Sequence, residues 1–248
     1  MSPRLAFAVD AAHKGGRSTL ALFQAGAAVS MKADASPVTL ADRGAERLIR
    51  GLIAESYPGD AILGEEEGGD TGALDRWVID PIDGTKSFIC GVPLYATLLS
   101  YEQDGEPVVG VCYIPALDEM LYAEKGQGAF LNGRPVRVSD RETVAGSVIS
   151  CGGSMFKPGN AEKMGQLASK TLAIRTWCDA YGYSLVASGR IDAMIDPTIS
   201  HWDISAVALI VREAGGRFTD FDGNDKLGAQ ALGSNGRLHD EILRVLNP

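Results

Sequence analysis

The chain has 248 residues, 45% of them apolar and 22% charged, and 32 acidic against 23 basic side chains give a net charge of -9. That is enough apolar material for a sizeable core in one large domain or two tightly joined ones, and it excludes a disordered chain. It also excludes a nucleic-acid polymer or a membrane surface as the main partner, because such binding needs clustered Lys and Arg.

The opening stretch MSPRLAFAVDAAHKGG mixes charges into its apolar residues, so no signal peptide is expected. No uninterrupted apolar run reaches membrane-spanning length anywhere in the chain. From Pro3 to Ala28, the residues Leu5, Ala8, Val9, Ala12, Leu20 and Phe23 follow helical spacing, with Gly15 and Gly16 as a weak point. A second helix is predicted after Thr39, a suitable N-cap, with Leu40, Ile49, Leu52 and Ile53 largely on one face and Pro58-Gly59 as the stop. The short runs AILG and RWVID read as strands, and Pro81 should end the second of them in a bend. The stretch from Tyr95 to Val138 reads as a meander with turns at QDGEP, IPALDE, KGQG and LNGRP, of which Asn-Gly is a hairpin signal.

After about residue 140 the character changes. SVISCGG, LAIRTWC, AMIDP and GRFTDF are strand-like and alternate with helical stretches near 160–170, 179–189 and 202–215, an α/β pattern. The expected organisation is an N-terminal α+β half, 1–142, and a C-terminal α/β half, 143–248, joined near 140–146 without a flexible linker. Cys90, Cys112, Cys151 and Cys178 form no CxxC pair and His is scarce, so a zinc site is not expected. Reduced thiols in a cytoplasmic protein are the simpler reading. Cys90 and Cys178 are expected as small apolar fillers.

The chemistry-bearing residues are acids at strand ends and turns, where α/β folds place their chemistry. Glu65, Glu66 and Glu67 follow the AILG strand, Asp80 and Asp83 follow RWVI, and Asp203 opens a helix. Each has an ordinary reading. Asp-Pro and Asp-Gly mark turns, three glutamates mark a solvated loop, and Asp203 alone is a helix cap. The alternative is a converging set. A bend at Pro81 can aim Asp80, the Ile82 carbonyl and Asp83 at one point, and hard oxygens of this kind suit Mg²⁺. Gly84 and Thr85 would then open a short helix whose N–H groups cradle a phosphate. Metal and phosphate in one stretch suggest phosphoryl transfer to water.

Taken together and in order, GEE at 64–66, WVIDPIDGTKSF at 77–88 and HWDISAVALIVREAGG at 201–216 resemble the three motifs of the inositol monophosphatase superfamily. KADASPVTLAD at 32–42 is similar to its early motif, so the resemblance spans nearly the whole chain. It implies a layered αβαβα sandwich of the inositol monophosphatase and fructose bisphosphatase type. It implies a lithium-sensitive, Mg²⁺-dependent phosphomonoesterase with two or three metal ions, water as nucleophile and no covalent intermediate, and commonly a homodimer. Carried over by position, Glu65, Asp80, the Ile82 carbonyl, Asp83 and Asp203 look like metal ligands. Glu65 and Thr85 look catalytic, Thr85 holding the attacking water with Asp42 as its partner, and Asp83, Gly84 and Thr85 look like phosphate or substrate contacts.

Within the superfamily the inositol pattern fits less well. Lys86-Ser87 stands where inositol enzymes usually carry Thr-Asn after Gly-Thr, and Asp196 stands where they usually carry a Glu. IRTWCDAYGYSLVASGRIDAMIDP instead resembles the histidinol-phosphatase pattern, although Cys178 replaces a common Gly. That resemblance implies hydrolysis of histidinol phosphate, in histidine biosynthesis. Asp179 and Asp196 would face the substrate's cations, and Arg175 would orient the ester. Residue by residue other readings stand: Asp179 as a cap, Tyr181 and Tyr183 as packing, Lys86 as a phosphate contact or an exposed lysine. The alternatives for the whole are an inositol-1-monophosphatase or a broad sugar-phosphate or bisphosphate-nucleotide phosphatase, and, less favoured, an idle binding protein.

Overall fold

A computed structural model describes residues 1–26, 29–31 and 37–247. The first helix, α1 (Pro3–Thr19), starts at a Ser2 cap whose hydroxyl accepts the Leu5 N–H at 3.1 Å. It ends well before Ala28, and turns follow to Gly26; residues 27 and 28 of the expected helix lie outside the described residues. The stop is at Ser18 and Thr19, not at the glycines. Their hydroxyls donate to the Gly15 and Gly16 carbonyls at 2.6 and 2.7 Å and so compete with the helix ladder. Gly15 and Gly16 are contact points: a Cβ on them would lie 2.6 Å from Ile49 Cδ1 and 2.6 Å from Tyr113 Cδ1.

β1 (Val29–Met31) pairs antiparallel with β2 (Pro37–Thr39), which leads into α2 (Leu40–Ser56). Residues 32–36 of the early motif lie outside the described residues. Thr39 caps α2 as expected, accepting from the Ala41 N–H at 3.1 Å, while its own N–H donates to Asp42 Oδ2 at 2.7 Å. The large sheet contains β3 (Ala61–Gly64), β4 (Gly68–Gly69), β5 (Arg76–Asp83), β6 (Ala96–Gln103), β7 (Glu106–Ile114), β8 (Glu119–Glu124), β9 (Ala129–Leu131) and β10 (Arg134–Val136). Their spatial order is β10-β9-β8-β7-β6-β5-β3-β4, with only β3 and β5 parallel. α3 (Thr85–Ile89) sits between β5 and β6. The β6–β7 and β9–β10 turns carry Asp104-Gly105 and Asn132-Gly133 with all four φ angles positive, between 47° and 79°, as tight hairpin turns require. β5 runs on through Pro81 rather than ending there. The proline's effect is on pairing: the register with β6 shifts between Asp80 and Asp83.

The small sheet is built from β11 (Val148–Cys151), β12 (Ala173–Arg175), β13 (Ala193–Asp196), β14 (Arg217–Thr219) and β15 (Ala231–Ser234), in the order β12-β11-β13-β15-β14. Its helices are α4 (Ala161–Ala168), α5 (Ala180–Ala187), α6 (His201–Glu213) and α7 (His239–Leu246).

Three apolar clusters define the layers. Leu5, Ala12, Ile49 and Ile53 of α1 and α2 bury one face of the large sheet through Trp77, Leu99 and Tyr113. Tyr183 and Val186 of α5 and Val207 and Ile210 of α6 lie between Leu98, Cys112 and Leu121 of the large sheet and Met194 and Phe218 of the small one. Met164, Leu167, Ile242 and Leu246 of α4 and α7 cover the outer face of the small sheet through Ile149, Ile195 and Leu232. The result is the αβαβα sandwich. α6 is buried continuously from Ile204 to Val211 because it is sandwiched between two sheets. The segment between the sheets is pinned. Asp192 accepts from Ser139 Oγ at 2.6 Å and from the Val148 N–H at 2.8 Å, and Asn235 Nδ2 donates to the Arg141 carbonyl at 2.9 Å.

Candidate active site

Four chain segments deliver acids to one cleft, the fourth being the turn before α5 with Asp179. β5 brings Asp80 and Asp83, both buried, and the Ile82 N–H donates to Asp80 Oδ1 at 3.1 Å. The turn after β3 brings Glu65, whose N–H continues the strand pairing to the Ile79 carbonyl at 3.1 Å. The first turn of α6 brings Asp203, fixed by the Ser200 N–H, which donates to Oδ2 at 2.8 Å. Asp203 is thus a first-turn residue of α6 behind Ser200, with one oxygen engaged at the helix start. One carboxylate oxygen from each of Asp80, Asp83 and Asp203 lies within 4.8 Å of the others.

The cleft has a volume of about 170 Å³ and is lined by Glu65, Asp80, Asp83, Asp179 and Asp203 together with Pro37, Ile82, Gly84, Thr85 and Lys86. Asp42 lies behind this wall, fully buried, and its Oδ1 accepts the Thr85 hydroxyl at 3.3 Å. The same hydroxyl lies 3.1 Å from the Ile82 carbonyl. Asp42 itself is held by Thr39, whose N–H and hydroxyl both donate to Oδ2, at 2.7 and 2.6 Å. Gly84, at φ +83°, turns the chain into α3 with a conformation other residues rarely adopt.

Electrostatically the cleft is short of positive charge. Burial pushes the Asp80 carboxyl well above its ordinary range, and the charges of Glu65, Asp83 and Asp203 add to it. Burial does the same to Asp83, reinforced by Asp179 and Asp203 and opposed by the Ala180 N–H, which donates to Oδ2 at 2.5 Å. Asp203 is pushed up to about 7 by burial, against the Ser200 N–H and with help from Glu65. Asp179 is also raised by burial, and Lys86 pulls it back. Acids crowded like this hold their protons unless a cation enters, so the site fits a bound divalent ion. The acids that line the cleft offer hard oxygens, the donors that a hard divalent cation takes.

Two other predicted residues lie away from the cleft wall. Asp196 is buried at the end of β13 and accepts the Tyr183 hydroxyl at 2.8 Å; burial is the main reason its carboxyl rises to about 7. Arg175 is exposed, donates to the Ile174 carbonyl at 2.8 Å and stands 5.9 Å from the Trp177 ring. Asp179 occupies the N-cap position of α5, as the cap reading has it, but its side chain makes no cap bond. Tyr183 is packed in the core, Tyr181 is half-buried and Lys86 is exposed at the cleft edge. Cys90 corrects an expectation: it is exposed rather than a filler, because it follows the last turn of the short α3, and Cys178 is only half-buried. Sequence reasoning passed over two contributors, the Ala180 N–H and Glu46. A backbone donor leaves no mark in a sequence. Glu46 looks like one more charge on a helix, yet it is fully buried.

An acid-lined cleft at the strand ends of a five-layer sandwich, backed by a threonine–aspartate pair, fits a phosphomonoester hydrolase. The chain belongs to the inositol monophosphatase family, whose profile matches residues 1–247. It is similar to a histidinol-phosphatase of Chlorobaculum parvum, 43% identical over 92% of this chain and 89% of the relative. It is similar to a histidinol-phosphatase of Mycobacterium tuberculosis, 41% identical over 88% of each chain. Among solved structures it is similar to a Thermotoga maritima IMPase, with a TM-score of 0.93 and 35% identity over 99% of this chain and 97% of that one.

Proposed function

We propose that this chain is a Mg²⁺-dependent phosphatase that hydrolyses histidinol phosphate to histidinol and phosphate. The observation that carries the reading is the approach of Asp80, Asp83 and Asp203 within 4.8 Å, with Glu65 on the same cleft wall. In this reading Glu65, Asp80, the Ile82 carbonyl, Asp83 and Asp203 hold the metal. Bound there, Mg²⁺ would supply Lewis-acid charge to the phosphate and to the leaving oxygen.

The chain's own residues do the rest. Thr85 gives its hydroxyl hydrogen to Asp42 Oδ1, which leaves its lone pairs facing the cleft to accept a hydrogen from the attacking water. Asp42 is fixed by two donors from Thr39, so the pair is aimed before substrate arrives. Gly84 and Thr85 present their N–H groups at the start of α3, where a phosphate oxygen can accept them. Lys86 at the edge adds positive charge beside Asp179.

The choice of ester rests on Asp179 and on the relatives. Histidinol phosphate carries an ammonium and an imidazole, and a cation beside Asp179 would relieve the cost of its buried charge. Asp196 backs the same region without lining the cleft. A second reading, an inositol-phosphate or broader sugar-phosphate monoesterase, is favoured by the likeness to the Thermotoga maritima IMPase. A cytoplasmic location and a homodimer belong to this same proposal; cell fractionation checks the first and sedimentation the second.

The test is phosphate release from histidinol phosphate, myo-inositol phosphate, fructose bisphosphate and adenosine bisphosphate, with and without Mg²⁺ and Li⁺. Preference for histidinol phosphate, lost without Mg²⁺ and reduced by Li⁺, is expected. Preference for inositol phosphate overturns the substrate, and no release from any ester favours an idle binding protein.

A further inference from the structure

Glu46 is a completely buried carboxylate with no part in the chemistry described above. It lies four residues after Asp42 on α2, so the two acids share one helix face. Its Oε2 accepts the Glu66 N–H at 2.8 Å, and its Oε1 accepts the Glu67 N–H at 3.0 Å. Arg50, one turn further along, donates Nε to Oε1 at 2.8 Å and also reaches the Gly68 carbonyl. A buried charge persists only when its partners are in place, and here they are the backbone of one turn and the arginine that brackets it. That turn is the one that carries Glu65. Residue 64 is a glycine for the same reason, since a Cβ there would land on Glu46 Oε1.

We infer that Glu46 is a positioning residue for the metal site, fixing the turn after β3 from inside α2 and so aiming Glu65 at Asp80. The inference rests on reading Glu65 and its neighbours as metal ligands. It makes α2 the common support of both site loops: Asp42 holds Thr85, and Glu46 holds the Glu65 turn. The two amides converge on one carboxylate, which fixes the peptide planes on either side of Glu66. Outer groups of this kind set the affinity of the ligands they orient.

The test is direct Mn²⁺ binding by calorimetry without substrate, on the full chain. Glu46→Gln keeps the size of the side chain, but its NH₂ must confront either a turn N–H or Arg50. Wild type should take up Mn²⁺, and Glu46→Gln should bind it about tenfold or more weakly while unfolding cooperatively. Glu213→Gln is the control. Its carboxylate clamps the Gly126 and Gly128 N–H groups, both at 2.8 Å, in the β8–β9 turn, and this variant should bind Mn²⁺ like wild type. A Glu46→Gln affinity within twofold of wild type overturns the inference, as does an equal loss in both variants. Wild type that takes up no Mn²⁺ overturns the metal site itself and this inference with it. If Glu46→Gln does not fold, hydrogen exchange in wild type decides: the Glu66 and Glu67 amides should exchange at least tenfold slower than in a free peptide, and unprotected amides overturn the inference.

Discussion

Replacing Asp196 with Asn should flatten the pH dependence of stability in the metal-free protein. Asp196 is 6% exposed, and burial lifts its carboxyl from an ordinary 3.8 to about 7, opposed by the Tyr183 hydroxyl and reinforced by Asp179 and Asp203. The folded value lies above the unfolded one, so the folded state holds the proton more tightly. The stability this contributes is fully present below 3.8 and is lost as pH rises through about 7. At roughly 1.4 kcal/mol per pH unit, softened near the folded value, the loss between about pH 5 and about pH 7 is about 2 kcal/mol. Asn is neutral throughout, and its carbonyl can still accept from Tyr183. Urea unfolding followed by circular dichroism in EDTA measures the difference. Wild type should lose about 2 kcal/mol more than Asp196→Asn across that window. Parallel profiles for the two proteins would refute the claim that a buried, protonated Asp196 is part of the folded state.

Three further outcomes follow from the same geometry. Asp83→Asn should reduce phosphate release to below about 1% of wild type while its far-UV circular dichroism stays unchanged, because it removes a metal charge but keeps the acceptor for the Ala180 N–H. Thr85→Val should lower kcat about a hundredfold and change KM less than about threefold, since it removes only the hydroxyl that orients water; steady-state kinetics separates the two. Mg²⁺ at a hundred times its Kd should add about 3 kcal/mol in urea unfolding, and one fixed Mg²⁺ concentration should add more at alkaline than at acidic pH. The sign follows from Asp80, Asp83 and Asp203, whose raised carboxyls must give up protons before they can bind the ion.

Much of this arrangement is legible in the sequence because it uses local signals. Thr39 at the head of α2, Asn132-Gly133 in its hairpin and the other turns of the meander each speak through nearest neighbours, and each element forms where those signals put it. The order of the acid motifs carried the convergence of Asp80, Asp83 and Asp203, which no periodicity could show. Other features depend on what a segment meets in space. Gly15-Gly16 reads as a weak point until Ile49 and Tyr113 are found against it. Pro81 reads as a strand end, yet β5 absorbs it by slipping register. Glu46 carries no signal of its own in the sequence, because a carboxylate on a helix is usually solvated, and only the turn folded onto it buries it. Arg175 reads as a substrate contact, and the structure turns it onto its neighbour's carbonyl and the Trp177 ring.

The bond from the Ala180 N–H to Asp83 ties a strand of the large sheet to a helix that lies between the sheets. It bears on how the site comes into being during synthesis. Asp80 and Asp83 leave the ribosome early, side by side and mutually repelling. The donor that steadies Asp83 arrives only with α5, and the acid that completes the trio arrives later still, with α6. A nascent chain that stops before α6 therefore has every strand of the large sheet in its sequence but not the full set of acids. The three acids can meet only after α6 has been made, so a cation that needs all of them has its full set of ligands only then.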